Sequence, residues 1–158
     1  MEIRAFSLNR LRQYIDGKIP FGIVSAFRNE NKATENKKLS SELALQIRSL
    51  GYGYIKLLGG YVESLDDGSF MEVIETSYLI PNATFEDISR LGKKYKQETI
   101  LYFSGESLYY YDVESKNVVM KFSNKFSTDR TAVEKYFSKI RGQGKKFTFL
   151  QEVALTRY

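Results

Sequence analysis

Apolar positions along this chain recur with two periods, and the period changes segment by segment. Leu8, Leu11 and Ile15 are spaced for one face of a short helix behind Ser7 as cap, and Gly17 to Pro20 turn the chain out of it. Phe21 to Phe27 is a compact apolar run that reads as a buried strand. Behind Thr34 as N-cap, Leu39, Leu43, Ile47 and Leu50 return every three or four residues, an amphipathic helix stopped by Gly51. Tyr52 to Val62 and Phe70 to Ile80 are strand-like around the turn Asp66-Asp67-Gly68-Ser69, which predicts a hairpin. Thr84 with Asp87 caps a second amphipathic helix whose stripe is Ile88, Leu91 and Tyr95. Thr99 to Phe103 is the next strand. Leu108–Tyr111 and Val118–Phe122 form a further hairpin. Val133, Tyr136, Phe137 and Ile140 predict a third helix over 129–141, stopped at Gly142-Gln143-Gly144, and Phe147 to Val153 reads as a last strand.

The order strand, helix, strand, strand, helix, strand is a split βαβ arrangement. It predicts an α+β fold with a ferredoxin-like βαββαβ core and an antiparallel sheet, both helices on one face, followed by a C-terminal β-hairpin, helix and strand. The 158 residues fit one domain: a docking helix over 1–16, the core over 21–104, and the hairpin, basic helix and final strand over 105–158.

Composition narrows the chemistry. The chain has no cysteine and no histidine, which removes disulfides, thiolate chemistry, imidazole bases and every histidine-containing triad. Neither a metal site nor a cofactor is expected. The first residues lack an apolar stretch of signal-peptide type and no window has the length of a membrane span, so a cytoplasmic protein is expected. The net charge is +5, and the stretch Arg130–Lys146 carries all of that excess, with six basic residues against Glu134. A local basic patch at Lys135, Lys139, Arg141, Lys145 and Lys146 suits an anion or nucleic acid, or is simply a solvated face.

Three groups of residues invite a functional reading. Ser25, Arg28 and Asn36, with Glu35, sit where the first strand runs into a helix, a place whose free N–H groups suit an anion that Arg28 can clamp. Their structural reading is a buried hydroxyl and an acid complementing the helix dipole. Glu75 and Ser77 share one face of the third strand. If that strand neighbours the first, Ser25 and Glu75 converge. Tyr61 and the run Tyr109-Tyr110-Tyr111 supply aromatic faces for stacking, although most tyrosines in a sheet are core.

The segments 21–28, Glu35-Asn36, 51–55, 60–63, 91–98 and 136–141 running into 146–149 together resemble a family of small uncharacterised phage and bacterial proteins. That resemblance implies a phage or mobile-element origin and action against host defence in a host cell. With the residues above, it predicts a non-enzymatic protein that binds and sequesters a phosphate-bearing ligand, either a nucleotide-type signal or nucleic acid. Ser25, Arg28, Asn36, Tyr61, Glu75 and Ser77 would contact that ligand. The alternatives are a protein-interaction or virion component, and a histidine-free enzyme acting on nucleotides through Glu75 or Tyr61.

Overall fold

The computed structural model describes residues 8–64, 66–127, 136–140 and 146–154. Its elements in chain order are α1 (Leu8–Asp16), β1 (Phe21–Ser25), α2 (Ala33–Ser49), β2 (Ile55–Ser64), β3 (Phe70–Pro81), α3 (Phe85–Lys94), β4 (Thr99–Phe103), β5 (Leu108–Asp112), β6 (Val118–Ser127), β7 (Tyr136–Ile140) and β8 (Lys146–Ala154). Strands β4-β1-β3-β2 lie side by side and antiparallel, which is the ferredoxin-like core. The remaining strands continue from both of its edges and meet, closing a barrel in the order β1-β3-β2-β7-β8-β6-β5-β4.

Local chemistry accounts for the ends of these elements. The Asp87 backbone N–H donates to Thr84 Oγ1 at 3.1 Å, the cap that the sequence predicts for α3. Helix α2 starts two residues earlier than expected: Lys32 is its N-cap, without a side-chain hydrogen bond, and Thr34 lies inside the helix. Gly51 ends that helix at φ +90°, a left-handed conformation that glycine adopts without strain.

Between residues 136 and 140 the predicted third helix is corrected. Tyr136–Ile140 is strand β7, and 128–135 and 141 lie outside the described residues. The segment Tyr-Phe-Ser-Lys-Ile is rich in strand formers, and its short apolar spacing satisfies both periods. Tertiary context decides between them. β7 covers the edge of β2, which would otherwise expose a row of unpaired backbone groups, and it pairs with β8 on its other side.

Alternation along the strands gives the sheet two differently used faces. The outer face packs under α2 and α3 through Val24, Leu43, Ile47, Tyr78, Ile80, Ile88, Leu91, Ile100 and Tyr102. Gly22 permits this close approach, because a Cβ there would lie 2.3 Å from Ile88 Cγ1. The inner face fills the barrel with Phe21, Ile55, Leu57, Leu79, Leu101, Phe103, Leu108 and Phe122. Ile15 and Tyr14 of α1 pack on this inner cluster, and Lys18 just beyond α1 pairs with Glu106 in the turn after Phe103 at 3.2 Å. Helix α1 therefore closes the barrel end marked by Phe21, Phe103 and Leu108.

The tyrosine run divides between the two faces. Tyr110 packs inside, edge-on to Phe122 with ring centroids 5.0 Å apart, and Tyr111 packs outside against Phe85 at 4.6 Å. No helix among the described residues is long and apolar enough to cross a membrane.

Candidate functional site

At the end of the barrel opposite α1 the inward positions change character. Along β1 they run Phe21, Ile23, Ser25, and along β3 in the opposite sense Leu79, Ser77, Glu75. Ser25 and Ser77 are direct cross-strand partners, so the first and third strands bring Ser25, Ser77 and Glu75 together. Both serines are buried and Glu75 is half-buried.

The register extends this polar set into rows around the barrel. Glu75 is paired with Gly59 on β2, and Gly59 in turn with Ser138 on β7. One row toward the barrel mouth, Tyr61 takes the register position between Val73 and Tyr136. Gly59 thus stands directly opposite Glu75, where a side chain would lie roughly 4.5–5.5 Å away at Cβ, and Ser138 follows one strand farther along the row.

Glu75 is the electrostatically unusual member of the set. Burial raises its pKa to about 7, because removing a carboxylate from water disfavours its charged form. Among the described residues desolvation alone accounts for the shift, and no cation or hydrogen-bond donor offsets it. A carboxyl group that titrates near neutrality can act as a base or pair with a cation under physiological conditions.

Ser25 is occupied otherwise. Its Oγ donates to the Thr76 carbonyl at 2.7 Å and accepts from the Phe27 N–H at 3.0 Å, so it fastens the end of β1 to β3. Asn36 has a similar task. Its Oδ1 accepts from the Arg28 N–H and its Nδ2 donates to the Arg28 carbonyl, both at 3.0 Å. The Gln97 amide adds a bond to the Phe27 carbonyl at 3.0 Å, so the loop from β1 to α2 is held from two sides. The Arg28 guanidinium pairs with Glu30 on the same loop.

Of the six predicted ligand residues, Ser25, Ser77 and Glu75 converge, Arg28 and Asn36 bind each other, and Tyr61 shares the β2 strand with Gly59. In the predicted basic patch, Lys139 and Lys146 are cross-strand partners on β7 and β8, whereas Lys135, Arg141 and Lys145 lie outside the described residues.

Sequence reasoning missed Gly59. The pair Gly59-Gly60 lies in the middle of β2. A glycine within a strand is a signal of close approach, and that was the clue available.

A separate surface groove of about 750 Å³ runs between α3 and the β5–β6 turn. Its basic side chains Arg90, Lys93, Lys96 and Lys116 are matched by Glu86, Glu98, Asp112 and Glu114, and none of Ser25, Ser77 or Glu75 lines it. This open surface balances its charges, so the chemistry points to the polar inward positions at the barrel end opposite α1 instead.

Comparison with known families gives the context for that mouth. Residues 22–149 match the model of the S-adenosylmethionine lyase family, and the chain belongs to it. Against curated individual proteins the chain gives no match. The match bears out in part the resemblance read from the sequence over about residues 20–150: the chain is a family member over that stretch, and the family is the S-adenosylmethionine lyase family. It also overturns the expectation of a non-enzymatic protein sequestering a phosphate-bearing ligand, since a lyase family is a family of enzymes and S-adenosylmethionine carries no phosphate. The misleading signal was the strand-to-helix junction: it resembles an anion site, but Asn36 uses its side chain to hold the Arg28 backbone there.

Proposed function

We propose that this protein is a lyase that breaks a carbon–sulfur bond of S-adenosylmethionine, with Glu75 facing the reacting end of the substrate. The observation that carries this reading is a half-buried carboxylate without a described partner on the inward face of β3, at the barrel end opposite α1. It lies within a chain matched to the lyase family over 22–149.

The substrate makes few demands on acid–base machinery. Its sulfur is a sulfonium cation, and when the C–S bond breaks the electron pair stays on sulfur and a neutral thioether departs. The leaving group needs no proton, so the absence of histidine from the chain is no obstacle. In a lyase reaction no water enters. The carbon fragment completes its valence by losing a proton or by closing on a nucleophile of its own. The protein's task is to hold the substrate in one reactive conformation, shield it from water and place charge correctly. The inward positions next to Glu75 along the ladder are small residues, Ser77 and Ser25 on one side and Gly59 opposite it, which suits a substrate placed beside the carboxylate. The ionised form of Glu75 is the useful one, because it can balance the sulfonium or take up a proton.

Incubation of the purified protein with S-adenosylmethionine, followed by mass analysis, tests the reading. Two fragments whose combined mass equals that of the substrate are expected; a fragment heavier by one water would make the protein a hydrolase. Glu75→Gln should lower kcat/KM by at least about 100-fold with the fold intact. In the wild type kcat/KM should rise with pH through about 7 and then level off, as Glu75 loses its proton. Full activity of Glu75→Gln would remove Glu75 from the reaction.

A further inference from the structure

A lyase for S-adenosylmethionine faces a selection problem set by its substrate's chemistry. The corresponding thioether without the methyl group, S-adenosylhomocysteine, has the same adenosine and the same amino-acid chain. It differs by one methyl group and one positive charge, both at sulfur. A site that recognised only the two ends of the molecule would bind both and be blocked by the one it cannot cleave. Discrimination must therefore be made at sulfur, and the physical difference available there is chiefly charge.

The row that contains Glu75 has the features needed to read that charge. Its carboxylate lies on the inward face of β3, half-buried, with Ser77 and then Leu79 below it on the same face. Directly across the ladder is Gly59, which contributes no side chain to the space beside the carboxylate. Beyond Gly59 the row continues to Ser138. No cation among the described residues pairs with Glu75, and a carboxylate held away from water gains most from a cation brought to it. In such surroundings one unit charge at close range outweighs the contact made by a single methyl group.

Resting on the lyase reading above, we propose that the Glu75–Gly59 pair is the specificity determinant for charge at sulfur. Glu75 attracts the sulfonium and Gly59 leaves the space that the sulfur and its methyl group occupy. The neutral thioether fits the same space but leaves the carboxylate desolvated without compensation, and so binds less well.

The test uses two ligands that are not turned over by sulfonium cleavage. Sinefungin carries an amine, protonated at neutral pH, at the position of the sulfonium, and S-adenosylhomocysteine carries the neutral thioether. Titration calorimetry at pH 7.5 should show wild-type protein binding sinefungin at least about tenfold more tightly than the thioether. In Glu75→Gln that ratio should fall to within about threefold, while Glu75→Asp, which keeps the charge, should retain most of it. Gly59→Val should weaken both ligands without equalising them. Circular dichroism of each variant confirms folding, and Glu75→Asp provides the reading if the Gln variant does not fold. A folded Glu75→Gln protein that keeps the wild-type ratio would overturn the inference, as would an unselective wild type that cleaves S-adenosylmethionine. A wild type that neither binds sinefungin nor cleaves S-adenosylmethionine would instead overturn the lyase reading itself.

Discussion

The two ends of the barrel interior are built from the same strands and differ in almost every physical respect. At the end closed by α1, the inward positions of β1, β4 and β5 are Phe21, Phe103 and Leu108, all fully buried, with the two phenylalanine rings 5.2 Å apart. Four residues farther along β1 the inward position is Ser25, and its neighbours on β3 are Ser77 and the half-buried Glu75. One end maximises buried apolar area and the other gives it up for small and ionisable groups. On the lyase reading proposed above, the difference separates stability from function within a single sheet: the closed end holds the strands in register, and the opposite end uses that register to align a charge. Ion pairs at the rim, such as Lys18–Glu106 and Lys116–Glu86, are well exposed and contribute little to either task.

The most severe way to break this contrast is to hollow out the closed end. Phe103→Ala removes a ring with no solvent exposure and should destabilise the protein by about 3–5 kcal/mol, measured by denaturant unfolding. The molecules that remain folded at low temperature should keep kcat/KM within a few-fold of wild type, since the ring lies at the end away from Glu75. A loss of activity as deep as that of Glu75→Gln in fully folded Phe103→Ala protein would show that the two ends are not separate.

The opposite substitution, at the other end, should stabilise. Glu75 has a folded-state pKa of about 7 against an ordinary value of 4.5, so the folded protein binds its proton more tightly than the unfolded chain does. Its favourable contribution is therefore complete below about pH 4.5 and is lost as the pH rises through 7. At pH 8 the group is charged in both states, and burying it costs up to roughly 3 kcal/mol. Glu75→Gln removes that cost. Its melting temperature should exceed that of wild type at pH 8, and the two curves should converge at pH 4. A gap that stays constant from pH 4 to pH 8 would mean that Glu75 is not desolvated. An active-site residue that lowers stability while supporting turnover is the usual form of this compromise.

How much of this contrast the sequence carries depends on the range of the interactions involved. The βαββαβ order is legible because Leu39, Leu43 and Ile47, or Ile88, Leu91 and Tyr95, declare their period locally, and Thr84 caps α3 as its residue type predicts. The neighbouring of Ser25 and Glu75 is legible one step later, since it needs only the order of strands in that topology. Barrel closure is not. Tyr136, Phe137 and Ile140 satisfy a helical spacing, and what makes them a strand is the waiting edge of β2, more than 70 residues earlier in the chain. The roles of Arg28 and Asn36 are illegible for a related reason. Residue type states that an amide or guanidinium seeks partners, and only the folded loop decides that Asn36 takes the Arg28 backbone and Arg28 takes Glu30. Gly59 is visible as a residue, but the role proposed for it comes from its place opposite Glu75 across the ladder.

The smallest predicted effect separates a residue that builds the polar end from one proposed to act there. Ser25 lies beside Ser77 and one row from Glu75, a position from which a hydroxyl could attack or bind a substrate. Its hydrogen bonds argue otherwise, since its Oγ already donates to the Thr76 carbonyl and accepts from the Phe27 N–H. Ser25→Ala leaves those two backbone groups without this partner, which costs about 1–2 kcal/mol in a partly buried setting. Because the bond to Thr76 fixes the backbone next to Glu75, some loss of alignment follows. A two- to fivefold fall in kcat/KM is expected, with the same pH profile as wild type. A covalent or proton-transferring role for Ser25 would give a fall of several orders of magnitude. That outcome would transfer the chemistry from the carboxylate to the hydroxyl, and a profile shifted away from pH 7 would show that Ser25 also sets the ionisation of Glu75.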